Sequence, residues 1–245
     1  MAESAVLISP LEVDDLELTK ISVLGNGAFG YVDLVLYDGQ ECALKIGLAE
    51  SVLPSFENER KMMELVAGAG GAPRVLAFCP ETPALVMTFC GGKDLIDVVE
   101  KRLYHDERDL LTIALQLTQA VQELHQKGVV HCDLKPDNVV VEMDDEGRPQ
   151  KVHVIDFGFA RLIGGKQRPK KTRSPKEWYC KCFYSGDELS LACDMPGLGF
   201  IVHYLLRAML KMRRERKEIL ARTSTPDHDQ RLGIKGLRAL LQRLL

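Results

Sequence analysis

The stretch "VVHCDLKPDNVVV", residues 129–141, decides how this chain is read. Two valine runs bracket His131, Asp133, Lys135 and Asn138, so acid, base and amide crowd between apolar neighbours. A buried strand–turn–strand has no use for these groups, and each is costly to desolvate unless something pairs it. The set fits a charged reaction partner, a phosphate or a metal ion, held at the end of a rigid apolar scaffold. That expectation calls for matching groups elsewhere in the chain.

With 245 residues, the chain is long enough for one large core or two small lobes. Its 46% hydrophobic and 27% charged residues are ordinary for a soluble globular protein, and a net charge of −3 points to neither nucleic acid nor a membrane as partner. Charge is uneven, however. Residues 161–181, "RLIGGKQRPKKTRSPKEWYCK", are strongly basic with Glu177 as the one acid. Residues 211–218, "KMRRERKE", are mixed and read as a solvated face. The opening "MAESAVLISPLEVDD" lacks the basic start and apolar stretch of a secretory signal. The longest apolar run, 198–210, is too short for a membrane span and carries His203 and Arg207. An intracellular location, cytoplasmic or nuclear, with reduced thiols is expected for the seven cysteines. Cys180, Cys182 and Cys193 with nearby His203 raise the question of zinc. C-x-C is not the usual C-x2-C spacing and no second pair exists, so none is expected there.

Residues 21–47, "ISVLGNGAFGYVDLVLYDGQECALKIG", predict three strands, with apolar alternation over 31–36 and Asp38-Gly39 as a hairpin turn. A helix follows from Pro54 to Gly68, then two short strands over 74–78 and 85–89. After the break at Gly91-Gly92 the character changes. Residues 109–128 form a long amphipathic helix closed by Gly128, and the rest is helical apart from the opening stretch, a short strand at 152–156 and the basic loop. The fold class is α+β. A strand-rich part over about 15–89 and a helix-rich part over 90–245 predict two lobes joined by a hinge near residue 90.

Three further motifs carry chemistry. In "GNGAFGYV", Gly25, Gly27 and Gly30 lie between two strands, where a backbone without Cβ atoms approaches a polyphosphate closely. A dinucleotide loop would run from a strand into a helix instead. Phe29 at the tip either shields phosphates from water or simply packs. Lys45, on the otherwise apolar third strand, gains weight from Glu59 on the next helix. An ion pair between them would aim the ammonium at phosphate oxygens. Glu57 and Glu64 compete for that role; Glu59 is preferred because Met63, one turn on, continues inward beneath it. "VIDFGFA" supplies Asp156. Asp133 is then a candidate base, Lys135 a phosphate clamp, and Asn138 with Asp156 a pair of oxygen ligands suited to Mg²⁺.

Together and in this order the motifs resemble the eukaryotic-type protein kinase family, from Leu24 to about Arg231. The glycine loop is 25–32, the strand lysine is Lys45, "HCDLKPDN" is similar to the catalytic loop H-R-D-L-x-x-x-N, and "DFG" is 156–158. "DMPGLGFIVHYLL" from Asp194 resembles the helix that anchors the family's helical lobe. The resemblance implies a bilobal fold, with a small antiparallel N-lobe sheet and one main helix before a helical C-lobe. It implies ATP and Mg²⁺, with Asp133 orienting the acceptor hydroxyl, Lys135 steadying the γ-phosphate, Asn138 and Asp156 on the metal, and Lys45 on the α- and β-phosphates. Leu24, Gly25, Asn26, Gly27, Ala28, Phe29 and Gly30 would line the nucleotide. Val32, Ala43 and Val140 would sandwich the adenine, Met87 would control access behind it, and 88–92, including Phe89, would read the base. Lysine two places after Asp133, followed by proline, is similar to Ser/Thr-specific members, so a protein with a Ser or Thr acceptor is the implied partner.

Departures from the family pattern are local. Cys132 replaces the arginine before Asp133 that pairs with a phosphorylated activation loop in many relatives, which implies activity without such phosphorylation. The basic loop would then either attract acidic or phosphorylated substrates or be a plain solvated loop. No Pro-Glu of the A-P-E segment occurs near 179–183, which leaves Arg231 without its usual partner unless Asp187 or Glu188 substitutes; Lys176 takes the place of the usual Thr or Ser. The linker between Asn138 and Asp156 is long and predicts a surface hairpin. The favoured function is a Ser/Thr protein kinase. The alternative is a pseudokinase, a binding module that engages a kinase or its substrate without turnover; a small-molecule phosphotransferase of kinase-like fold fits the complete glycine loop less well.

Overall fold

The computed structural model describes residues 5–209 and 211–245. Residues 1–4, where the stretch weighed as a secretory signal begins, and Leu210, the end of the longest apolar run, lie outside it. Two compact units form, one from the described residues up to Gly68 with Ala72–Cys90, the other from Ala69–Gly71 with Gly91–Leu245.

In the first unit the chain runs through β1 (Val6–Leu7), α1 (Pro10–Leu18), β2 (Ser22–Asn26), β3 (Gly30–Tyr37), β4 (Gln40–Gly47), α2 (Leu53–Val66), β5 (Val75–Cys79) and β6 (Ala84–Thr88). The sheet order is β1-β5-β6-β4-β3-β2, antiparallel except for β1 on β5. Asp38 and Gly39 both have positive φ, the pairing that lets a two-residue turn follow the twist of β3 and β4. Register then sorts the side chains. Val32 pairs with Lys45 and Lys45 with Leu85, while Leu34 pairs with Ala43 and Ala43 with Met87. Because successive side chains alternate, Val32, Ala43, Lys45 and Met87 share one face. Val35, Cys42, Leu44, Ile46 and Val86 share the other, in a core closed by Ile8, Val13 and Leu16.

That second face is covered by α1, a helix absent from the sequence-based expectation of one main helix. Its start is chemically explicit. Ser9 Oγ accepts from Glu12 N–H, Glu12 accepts in return from Ser9 N–H, and Pro10 opens the first turn. Tyr31 donates its hydroxyl to Glu17 at 2.8 Å, and Lys20 meets buried Asp33 at 2.7 Å, which fixes α1 and its exit against β3. The phenol of Tyr31 is pushed up to about 12, first by burial and then by Glu17.

The second unit contains β7 (Lys93–Asp94), α3 (Leu95–Glu100), α4 (Glu107–Gln126), β8 (Val129–Val130), β9 (Val139–Met143), β10 (Pro149–Val154), β11 (Arg161–Leu162), α5 (Lys181–Ser185), α6 (Met195–Arg207), α7 (Arg213–Thr223) and α8 (Ile234–Leu244). Helix α4 starts where Asp106 accepts from the N–H groups of Arg108 and Asp109, and its stripe of Leu110, Ile113, Leu117, Val121 and Leu124 is fully buried. β9 and β10 make the expected hairpin, its turn held by Asp144 accepting from Glu146 and Arg148. α6 passes close to the 129–141 stretch because Gly197 has no side chain there; a Cβ would lie 2.6 Å from the Leu134 carbonyl oxygen. Among the described residues no helix is long and apolar enough to cross a membrane.

Candidate functional site

Hairpin register builds the first part of the site. Val139 pairs with Val154, and just beyond them Ile155 N–H donates to the Asn138 carbonyl at 3.0 Å. Asn138 and Asp156 therefore emerge at the same end of the hairpin. Asn138 is buried, and its amide nitrogen donates both to Asp133 Oδ2 (3.0 Å) and to the Asp133 carbonyl (2.9 Å). With the nitrogen committed, the group it has left to offer is its amide oxygen. Asp156 has φ +65, a left-handed conformation that costs about 1–3 kcal/mol for a non-glycine residue and persists where surrounding structure enforces it. Amide and carboxylate oxygens from two adjacent strand ends are hard donors, few in number, and suit Mg²⁺ that keeps phosphate and water as its other ligands.

Asp133 is 1% exposed and takes three side-chain hydrogen bonds. Lys135 Nζ lies 2.9 Å from Oδ2, alongside Asn138, and Tyr179 donates its hydroxyl to Oδ1 at 2.6 Å. His131 sets the loop backbone. Its Nδ1 accepts from Asp133 N–H at 3.3 Å, Nε2–H donates to the Ile155 carbonyl at 3.1 Å, and its ring stands edge-on to Phe157 at 5.0 Å. One imidazole thus couples Asp133 to the segment carrying Asp156. Beneath it Asp194 accepts from His131 N–H (2.8 Å), Cys132 N–H (2.8 Å) and His125 Nε2 (2.9 Å). Burial raises the Asp194 pKa, but the His125 hydrogen bond and charge, His131 and the Cys132 N–H together hold it below the ordinary carboxylate value. Cys132, at φ +66 and buried, gives up its N–H to this carboxylate.

In the first unit, Lys45 Nζ meets Glu59 Oε2 at 2.7 Å with both side chains largely buried. Glu64 pairs with Arg60 one turn away instead. Gly25 to Phe29 bridge β2 and β3, closed by Gly27 N–H on the Gly30 carbonyl at 2.8 Å. Leu24, Asn26 and Ala28 are exposed; Phe89 is half-buried.

Two functional residues escaped the sequence analysis. Asp194 was visible as the first residue of a recognised helix motif, without its role. Tyr179 gave no signal, since its partner lies 46 positions away. Two expectations are corrected. Asp187 accepts from Ser185 and Glu188 meets Lys166, while Arg231 donates to the Ala192 carbonyl (2.7 Å), the Thr225 carbonyl (2.6 Å) and Cys180 Sγ (3.3 Å). Neither acid takes the role of its missing carboxylate. His203 donates to the Arg216 carbonyl at 3.2 Å; the histidine beside the cysteines is His228.

The Tyr179 contact predicts a rate effect. Its phenol, pushed up first by burial and then by Asp133, occupies an oxygen that an acceptor hydroxyl would use. Tyr179→Phe should raise kcat/KM for a protein acceptor about 3–10-fold, the equivalent of roughly half to all of one hydrogen bond's net free energy. Steady-state kinetics check this; a fall in kcat/KM with unchanged melting temperature would make Tyr179 a positive contributor instead.

Comparison with known proteins gives the same direction. Residues 18–235 match the family described as protein kinase domain. The chain is 29% identical over 201 residues to casein kinase I homolog 1 of Schizosaccharomyces pombe, covering 76% of this chain and 45% of that protein. It is 28% identical over 222 residues to putative ribosomal protein S6 kinase alpha-2 of Caenorhabditis elegans, covering 83% and 28%. For casein kinase I homolog 2 of Saccharomyces cerevisiae the figures are 27% over 201 residues, 76% and 36%. The matched region spans less than half the length of each of these relatives. With the kinase-domain match running over most of its length, this chain belongs to the protein kinase family.

Proposed function

We propose that the chain is an ATP-dependent Ser/Thr protein kinase. The observation that carries this reading is Asp133, buried and held by Lys135 and Asn138 just before the hairpin that also delivers Asp156. Asp133 accepts the proton of the acceptor hydroxyl through the oxygen facing Tyr179. Lys135 neutralises charge on the transferred phosphoryl group, and Lys45, aimed by Glu59, binds the α- and β-phosphates. Asn138 and Asp156 hold Mg²⁺, which when bound neutralises phosphate charge. Val32, Ala43 and Met87, on one sheet face with Lys45, contact the adenine, and 88–90 read its edge. Positioning and electrostatics supply the rate.

The relatives' names, casein kinase I and ribosomal protein S6 kinase, support a protein acceptor, and the Lys135-Pro136 pair supports Ser or Thr as its hydroxyl. Arg168, Lys170, Lys171, Arg173 and Lys176 are exposed in one segment, which supports acidic or phosphorylated acceptors. Peptide arrays should show higher kcat/KM with acidic than with basic flanks; preference for basic flanks would remove this part.

The function is tested by calorimetry and labelling with ATP, with and without Mg²⁺. Nucleotide binding and γ-phosphoryl transfer that requires Mg²⁺ are expected; no binding under either condition would overturn the reading. The hydrogen bond from Tyr179 to Asp133 favours a second reading, a kinase-shaped binding module. Turnover by the wild type excludes it.

A further inference from the structure

Three cysteines and one histidine of the second unit converge on one another. The ligand atoms of Cys180, Cys182, Cys193 and His228 all lie within 4.8 Å of one another, and the three thiols are buried. His228 Nε2 lies 3.1 Å from Cys180 Sγ and 3.6 Å from Cys182 Sγ. A tetrahedral Zn²⁺ with Zn–S of about 2.3 Å and Zn–N of about 2.0 Å has ligand–ligand edges of about 3.5–3.8 Å. The cluster already has nearly that size. We propose that these four side chains form a structural Zn²⁺ site.

The surroundings fit the assignment. Ser190 Oγ lies 3.3 Å from His228 Nδ1, which turns the other ring nitrogen toward the sulfurs, as the outer partners of metal-bound imidazoles do. Ser190 N–H points at Cys193 Sγ from 3.4 Å, a donor for a thiolate. Three thiolates and Zn²⁺ leave one negative charge, and Arg231 Nη1 lies 3.3 Å from Cys180 Sγ to balance it. Thiolate and imidazole donors select zinc over the hard cations. With all four positions taken by protein, the site holds structure and leaves no place for a substrate.

The ligands come from three short segments. Cys180 and Cys182 open α5, Cys193 lies in the single turn Leu191–Asp194, and His228 starts the turn His228–Gln230. The metal ties them together where the family resemblance would place a glutamate–arginine pair, and it fixes the chain directly after Tyr179. The C-x-C spacing concealed the site because the fourth ligand lies 46 residues beyond Cys182.

The site is testable without reference to phosphoryl transfer. Full-length protein, purified under reducing conditions without chelator, should carry one zinc per chain by plasma mass spectrometry. X-ray absorption should show three sulfurs and one nitrogen around it. After removal of the metal, Co²⁺ alone should give the intense visible bands of a tetrahedral thiolate site. Cys193→Ser and His228→Ala should lose most of the metal, and Cys79→Ser should retain it. Where a variant fails to fold, the wild-type stoichiometry and absorption spectrum decide. Metal-free wild type that takes up neither Zn²⁺ nor Co²⁺, a disulfide among Cys180, Cys182 and Cys193, or iron with inorganic sulfide in the site would each overturn the proposal.

Discussion

Asp133→Asn should lower phosphoryl transfer by about 10²–10⁴-fold, the usual contribution of a positioned general base. The substitution keeps size and shape, and an amide oxygen can still accept from Lys135 and Asn138, so the loop keeps its hydrogen bonds. What disappears is a carboxylate oxygen able to take a proton. Nucleotide affinity should change little, because Lys45 and the metal-facing oxygens are untouched. The expected signature is therefore a collapse of kcat with near-normal ATP binding and melting temperature. Initial-rate assays beside calorimetry read this directly. Retention of wild-type kcat would remove Asp133 from the chemistry.

Asp194→Ala should be the most damaging change outside the reacting groups. The carboxylate is fully buried and accepts from two loop N–H groups and from His125. Its removal leaves those donors unpaired in the interior, which costs about 3–5 kcal/mol. For a chain of this length that lowers the melting temperature by roughly 6–20 °C. Calorimetry checks it; a shift under about 2 °C would mean that the carboxylate contributes little. The pH dependence has a definite sign. The folded Asp194 pKa lies below its unfolded value, so its contribution is fully present above the unfolded pKa of about 4 and fades as pH falls through the folded pKa. The stability difference between wild type and Asp194→Ala should thus narrow below about pH 4. Activity should fall with stability, since the same carboxylate positions the backbone of His131 and Cys132.

The parts legible in the sequence were those whose logic is local. Asp133, Lys135 and Asn138 lie within six residues and fold onto one another by a single turn, so their residue types announced the chemistry. Glu59 was separable from Glu57 and Glu64 because helical spacing set Met63 beneath it, and the 2.7 Å ion pair with Lys45 forms on that face. Helix α1 was legible but passed over. Its Ser9–Glu12 box and Pro10 are a start signal written in four consecutive residues. Its covering of the sheet explains why both faces of β3 and β4 are apolar, which alternation alone did not convey.

Long-range polar contacts left no trace in local pattern. Tyr179 reaches Asp133 across 46 positions, and Arg231 turns to backbone carbonyls and a cysteine sulfur in place of a carboxylate. His203 was the nearer histidine in sequence to the cysteines, but α6 delivers it to the Arg216 carbonyl, while a turn after α7 delivers His228. Proximity along the chain is a poor guide once a helix intervenes.

Transfer of phosphate from ATP to hydroxyl side chains is read out by incubating the purified wild-type protein with γ-labelled ATP, Mg²⁺ and a panel of acidic and basic protein acceptors, followed by phosphoamino-acid analysis. Label on phosphoserine or phosphothreonine, absent with Asp133→Asn, is the predicted result. Measurable nucleotide binding with no label on any acceptor or on the chain itself would contradict it.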